Sequence, residues 1–316
     1  MVNGGSWLRG PPPLVKIVCV ANGSRHQAHR NLVGWLFISP WVIGFVAFTA
    51  WPFLESIYLS FTRYNIVTPA KWVGLANYRM LLTDDDLFWK SAWVTIKYAC
   101  ISVPLGIVVG VGLALLLNAN VRGIAVFRTI FYLPSIVPTV ATSVLFIWLL
   151  NPTIGLINKL LLVVHIKGPS WLNTAPWAFN SLVLMALWGV GGSMVIYLAG
   201  LKDIPSYLYE AATLDGANSY LKMRYVTLPM MTPVIFFNLV MGIIGAFQTF
   251  TQAYVITPGG GPQDSTSFYS LYLYNRAWKY LDMGYASAMA WILFVVIIVL
   301  TAVVFKSRSR WVHYGG

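Results

Sequence analysis

The sequence predicts an all-α membrane protein with six transmembrane helices, and three observations carry that expectation. The chain has 316 residues, of which 58% are apolar and only 9% charged, against roughly 25% charged in an ordinary soluble domain. Apolar runs of about 20 residues, enough to cross a bilayer, recur along it. Lys and Arg sit singly between those runs, so the net charge of +12 reads as membrane topology and not as a nucleic-acid-binding face. A soluble enzyme and a nucleic-acid module are thereby excluded.

The spans follow in order. The first covers 32–53 and the second 92–117, with Lys97 near its start. The third, 135–150, is shorter, follows Pro134 and contains Pro138. The fourth covers 177–201, the fifth 233–256 and the sixth 286–305. Leu14 to Val20 is too short to cross and holds Lys16, so it reads as part of an arm and not as a signal peptide. The expected organisation is a poorly ordered cytoplasmic arm at 1–31, the first helix with an outer loop at 32–91, a core at 92–305 and a cytoplasmic tail at 306–316.

Orientation follows from the loops. The side holding the N-terminus carries 12 Lys and Arg and the other side 8, which predicts that both termini are cytoplasmic. Six of the nine acids, including Asp84, Asp85 and Asp86, fall on the less basic side, where the Asp triplet reads as a solvated turn. Gly106, Gly110 and Gly112 suit close helix packing, and Trp35, Trp51, Trp93 and Trp177 suit the interfacial belts. Cys19 and Cys100 read as free thiols, and the four His residues show no metal-ligand spacing.

What is missing narrows the function. No span holds a mid-membrane Asp or Glu, which an ion-coupled carrier needs in order to bind and release its ion. No G-x-x-x-x-G-K-[ST] loop is present to cradle nucleotide phosphates, and no segment resembles a selectivity filter. No catalytic residue and no metal site is expected. Energy must then come from another subunit, and the loop between the fourth and fifth spans is where such a subunit would dock. There Pro205 to Leu214 predicts a short helix, with Asp203 or Ser206 available for capping. Gly216 predicts a turn, and 218–226 a second short helix ahead of Pro229 and the fifth span.

Within that loop stand Glu210-Ala211-Ala212, then Asp215-Gly216-Ala217, then Val226-Thr227-Leu228-Pro229. This resembles the EAA loop of binding-protein-dependent ABC transporter permeases, with the spacing complete. The resemblance extends from about Trp35 to the C-terminus, through the stretches 72–78, 128–134, 257–262 and 310–314. It is similar in particular to the first permease subunit of carbohydrate-uptake transporters for maltose, lactose and glycerol-3-phosphate. Met223 stands where the family usually has Phe, and the chain before Asn31 matches nothing in the family.

The resemblance implies a type I ABC importer permease fold in a bacterial or archaeal inner membrane. It implies a second permease subunit, two ATPase subunits that carry ATP and Mg, and an extracytoplasmic solute-binding protein. Glu210, Ala211, Ala212, Asp215, Gly216, Leu228 and Pro229 would couple the ATPase to the bundle. A sugar pathway needs uncharged polar groups and aromatic faces. Trp188, Gly189 and Gly192 in the fourth span and Gln248, Thr249 and Gln252 in the fifth supply them, and by position they fall near the sugar site of the maltose importer. A permease for glycerol-3-phosphate or a polyol is the alternative, and an ion-coupled secondary carrier the remote one.

Overall fold

The computed structural model describes residues 33–119 and 121–313; the arm at 1–31, the expected first-span start at Leu32, and Cys19, His26 and His29 lie outside them. The chain divides into two units, Met1–Tyr58 and Leu59–Gly316. Helix α1, Val33–Ser60, makes up the described part of the first unit and ends in the first two residues of the second; none of its most apolar 18-residue window is buried. Trp35, Phe37, Phe48 and Trp51 stand exposed along it, as expected of a helix whose solvent is lipid. A π turn at Val46–Ala50 lies immediately before Pro52, whose ring would otherwise press on the carbonyl four residues back.

The second unit begins with a hairpin of β1 (Thr62–Asn65) and β2 (Thr68–Trp72), paired antiparallel with Thr62 opposite Trp72. Asn65 Oδ1 accepts from the Thr68 amide at 2.7 Å and closes the turn. The sequence reading had only helices, and short strands of this length carry too little periodicity to be seen. Helices α2 (Ala76–Thr83), α3 (Asp86–Leu117), α4 (Ile124–Ile136), α5 (Thr139–Leu149) and α6 (Leu156–Val163) follow. Next come α7 (Ala175–Trp188), α8 (Gly191–Lys202) and α9 (Ser206–Leu214). The chain ends with α10 (Ser219–Lys222), α11 (Leu228–Phe247), α12 (Thr251–Ile256), α13 (Tyr269–Tyr274) and α14 (Met283–Ser307).

Four helical stretches among the described residues are long and apolar enough to cross a membrane, and two bent pairs bring the number to six if each counts as one span. The pairs correct the expected third and fourth spans. The third bends by 100° between α4 and α5, and the fourth by 43° between α7 and α8. Pro138 causes the first bend, because it holds Val137 extended at φ −70°, ψ 131°. The 11 residues of α5 then reach only about 16 Å, half the hydrocarbon thickness. The fifth span also starts earlier than expected. Ser219–Lys222 passes through a π turn, Met223–Thr227, straight into α11. Pro229 therefore sits inside a continuous helix and does not separate two of them.

α3 is the axis of this unit, with α7, α8 and α11 packed along it. Of its three glycines, Gly110 meets the packing expectation: a Cβ there would lie 2.8 Å from the Tyr197 ring. Gly106 and Gly112 have open space instead. Lys97 lies 4.7 Å over the Phe179 ring. Buried apolar side chains form one cluster around Tyr98, Phe179, Leu182 and Phe268, and a second around Met194, Tyr197 and Met231.

A third cluster at the hairpin end, around Phe88, Tyr269 and Met289, surrounds a buried acid. The Asp triplet is not simply a solvated turn. Asp84 and Asp86 are exposed, but Asp85 is 8% exposed and caps α3 by accepting the Phe88 amide at 3.0 Å. Its other oxygen accepts from Tyr272 at 2.5 Å, from the Tyr285 hydroxyl and from Arg276 at 3.3 Å. Burial pushes the Asp85 carboxyl up, but the two tyrosine hydroxyls, the amide and the guanidinium outweigh it and hold the group below its usual 3.8. A depressed carboxylate contributes stability that is fully present above the unfolded value and lost as pH falls through the folded one. The thermal stability of the detergent-solubilised protein should therefore fall below about pH 4, and Asp85→Asn should remove that part of the slope while lowering the midpoint at pH 7. An Asn variant with unchanged midpoint and slope would show that the carboxylate carries no such load.

Candidate functional site

Two features of the second unit bear on function: a polar cavity inside the bundle and the helical knob between α8 and α11. The cavity has a volume of about 350 Å³. α3 contributes Tyr98, Ser102 and Gly106 to its wall, α8 contributes Ser193 and Tyr197, and α11 contributes Asn238, Gly242 and Gly245. Further lining comes from two places where helices break. Gly189 and Val190 lie between α7 and α8, and Thr249 lies between α11 and α12 with Gln252 one residue into α12.

These breaks follow from local sequence and are stabilised locally. At the first, Gly189 and Val190 donate to the Ala186 and Leu187 carbonyls at 3.2 and 3.3 Å, in tightened last-turn bonds. At the second, Gln248 keeps an ordinary helical bond to Ile244, Thr249 makes the tightened bond to Ala246 at 3.3 Å, and Ser270 donates its hydroxyl to the freed Phe247 carbonyl at 3.2 Å. Non-helical backbone at membrane depth is tolerated where protein or a polar cavity surrounds it. The cavity is lined by hydroxyl, amide and backbone groups, with no Lys, Arg, Asp or Glu among its lining residues. It can hydrogen-bond an uncharged polyhydroxylated solute, and it offers nothing to neutralise a phosphate or carboxylate.

Gly189, Thr249 and Gln252, three of the six residues expected along the pathway, are brought together here. The other three are not. Trp188 is 48% exposed and sets its ring edge-on to Phe146 at 5.9 Å. Gly192 faces Ser135, and Gln248 is exposed and is not among the cavity's lining residues. Sequence reasoning missed Tyr98, Ser102, Ser193, Tyr197 and Asn238. Asn238, a buried amide within the apolar run of α11, is the one that a search for polar groups inside a span would have found.

The knob is built by α9, a turn and α10. Pro205, the expected first helical residue, stands instead at the N-cap of α9 with φ −62° and ψ 135°, so the helix starts one residue later than expected, and neither Asp203 nor Ser206 provides the capping bond that was expected. At the other end the Ala217 amide donates to the Ala212 carbonyl at 2.8 Å and the Gly216 amide to Thr213 at 3.0 Å. This is a Schellman ending, which needs a left-handed residue; Gly216 supplies it at φ +77°. Asn218 then caps α10 through the Leu221 amide at 2.9 Å. Lys222 donates to the Thr213 hydroxyl at 2.8 Å, and Tyr209 meets Thr227 at 3.0 Å, pinning α9 to the following helix.

Glu210, Ala211, Asp215 and Gly216 lie exposed on this knob, Ala212 is half-buried, and Leu228 and Pro229 are half-buried at its base. Leu214 is 90% exposed, with Tyr207, Tyr220 and Tyr225 also largely exposed. The knob thus presents an apolar, aromatic surface beside two carboxylates.

Residues 102–311 match the family model of the binding-protein-dependent transport system inner membrane component. The chain belongs to this family. It is 46% identical, over 92% of its length and 95% of the relative, to YesP of Bacillus subtilis, a probable ABC transporter permease protein. It is 33% identical, over 86% of the chain and 89% of the relative, to SmoG of Agrobacterium fabrum, a sulfoquinovosyl glycerol transport system permease protein. It is 34% identical, over 90% of the chain and 96% of the relative, to MalF of Thermococcus litoralis, a trehalose/maltose transport system permease protein. Among solved structures, a bacterial ABC transporter involved in the import of the acidic polysaccharide alginate shares the fold. Its TM-score is 0.81 at 22% identity, covering 90% of this chain and 98% of that one. This permease therefore has the type I ABC importer fold expected from the sequence.

A side chain at position 216 would meet no neighbour within 4 Å, so its only penalty is backbone. Gly216→Ala should cost about 1–2 kcal/mol locally and raise amide hydrogen exchange at Gly216 and Ala217 while leaving α11 protected. Unchanged exchange at these two amides would mean that the left-handed turn does not hold the knob together.

Proposed function

We propose that this chain is the membrane-spanning permease subunit of an ATP-driven sugar importer and forms half of its translocation pathway. The observation that carries this reading is the uncharged polar cavity at the two broken helices, with Tyr98, Asn238, Thr249 and Gln252 on its walls. The family to which the chain belongs supports the transport role, and relatives named for trehalose/maltose and sulfoquinovosyl glycerol support a carbohydrate. Glycerol-3-phosphate fits less well, because its phosphate would meet no cation on the cavity wall.

Four partners complete the proposal. The family description names a binding protein, which would deliver solute from the outer side. A second permease would cover α4, which has no buried residue and presents Val126, Phe127, Ile130 and Ile136. Two ATPase subunits, carrying ATP and Mg, would receive the knob. Glu210, Ala211, Ala212, Asp215 and Gly216 would make the contact, and Leu228 and Pro229 would pass the movement into α11. Both termini would then be cytoplasmic, with residues 202–229 as the coupling loop, 92–305 as the core and 32–91 as first helix and outer loop. The arm at 1–31 and the tail at 306–316 would lie on the cytoplasmic side.

Solute-stimulated ATP hydrolysis tests this, in proteoliposomes holding the chain with its partner permease, ATPase and binding protein. Neutral sugars should stimulate hydrolysis and glycerol-3-phosphate should not. Asn238→Leu or Gln252→Leu should cut the stimulated rate about tenfold, the worth of one hydrogen bond of about 1.4 kcal/mol, and leave the basal rate unchanged. Gly216→Val should insert normally and lose stimulation for every solute. Stimulation by glycerol-3-phosphate alone would transfer the substrate assignment to an anionic solute, and full coupling in the Gly216 variant would remove the knob from the mechanism.

A further inference from the structure

A second cavity, of about 210 Å³, opens between α3 and α14 near the hairpin end, and it shares no lining residue with the polar one. Its walls are Ala92 and Ile96 of α3, Ile292, Leu293 and Val296 of α14, and Phe247 at the end of α11. Three polar side-chain atoms border it, and each is already bonded within the protein. The Thr95 hydroxyl donates to the Ser91 carbonyl at 2.9 Å and accepts the Tyr269 amide at 2.9 Å. The Tyr269 hydroxyl donates to the Met289 carbonyl at 2.7 Å, and Trp89 Nε1 donates to the Leu82 carbonyl at 3.1 Å.

No free donor or acceptor therefore faces this space, so a sugar finds nothing to bind there and water nothing to hold it. A wholly apolar cavity of about 150 Å³ stays dry and takes up an apolar molecule, and this one is larger. Both helices that form it are long and apolar enough to cross a membrane. Its rim residues Trp89, Ile96 and Val296 remain 55%, 39% and 36% exposed, so it opens sideways, toward the surface where those helices meet lipid. We infer that this cavity is a binding site for a single acyl chain of a membrane lipid, which enters between α3 and α14 and ends against Phe247. The occupant must be apolar, since no lining group can orient a polar one, and acyl chains are the apolar species that surround such helices.

Photolabelling tests the inference, using the assembled transporter in liposomes that contain phosphatidylethanolamine with a diazirine at the end of one acyl chain. Label should appear on the recessed residues Phe247 and Leu293, and also on the lipid-facing Val299 and Val303, which serve as the control for insertion and folding. Two cavity-filling variants on opposite walls, Ala92→Phe and Ile292→Phe, should each lose the label at Phe247 and keep it at Val299 and Val303. If one variant loses the control label, the other decides. Absence of label at Phe247 and Leu293 in the unaltered protein would overturn the proposal, as would a Phe247 label that survives the filling of the cavity.

Discussion

Hydrocarbon offers no partner for a freed backbone amide or carbonyl, and the design of this bundle turns on where its helices are allowed to break. The breaks at Gly189-Val190 and around Thr249 both open onto the polar cavity, and the carbonyl freed at Phe247 is taken up by Ser270. The same backbone irregularity that would be costly against lipid thus creates the one kind of surface that a hydroxyl-rich solute can use. Placing the breaks in two helices that both pack on α3 brings them to one site although their residues lie 60 positions apart in the chain. α3 itself stays unbroken for 32 residues and gives the cavity a continuous wall.

The knob answers a different demand. A movement imposed on α9 is useful to the bundle only if the loop does not absorb it. The Schellman ending at Gly216, the Lys222–Thr213 bond and the Tyr209–Thr227 contact join α9 to the next helix. That helix then runs from Ser219 through a π turn into α11 without interruption. α11 carries Asn238 and the second break, so knob and cavity share one helix. The π turn just before Leu228-Pro229 lets the helix continue past a residue that cannot donate its amide. Leu228 and Pro229, the last residues of the loop motif, thus lie within the continuous helix that joins the knob to α11.

Hydropathy made the number of spans legible, because each needs about 20 apolar residues whatever its partners are. The bends were less legible, since a window average is blind to backbone direction: Pro138 and Gly189 were in view, yet the 100° turn at the first depends on α4 packing back on α8. Gly189, Thr249 and Gln252 reach the cavity wall because they mark the breaks themselves. Trp188 and Gln248 sit beside those breaks but off the cavity wall, a matter of about 100° of helix rotation per residue that a kinked helix leaves undefined. Tyr98 and Ser102 were missed for a simpler reason: in a single sequence they look like ordinary packing within α3.

Asp85 shows the limit most plainly. In sequence it is the middle of three consecutive acids before a span, a pattern that elsewhere means a hydrated turn. Its partners Tyr272, Arg276 and Tyr285 lie nearly 200 positions away, and only the fold brings them to it. Burial pushes the Tyr272 hydroxyl up to about 12, with Asp85 adding to the shift, so the phenol stays a donor at any physiological pH. Burial likewise raises the Asp282 carboxyl at the start of α14, against the pull of Arg276 and Arg63. One acid is thus fixed as a carboxylate while the other is held less firmly charged, and the difference lies in hydroxyl donors. Asp85 ties the start of α3 to α13 and α14 at the hairpin end, the end opposite the knob.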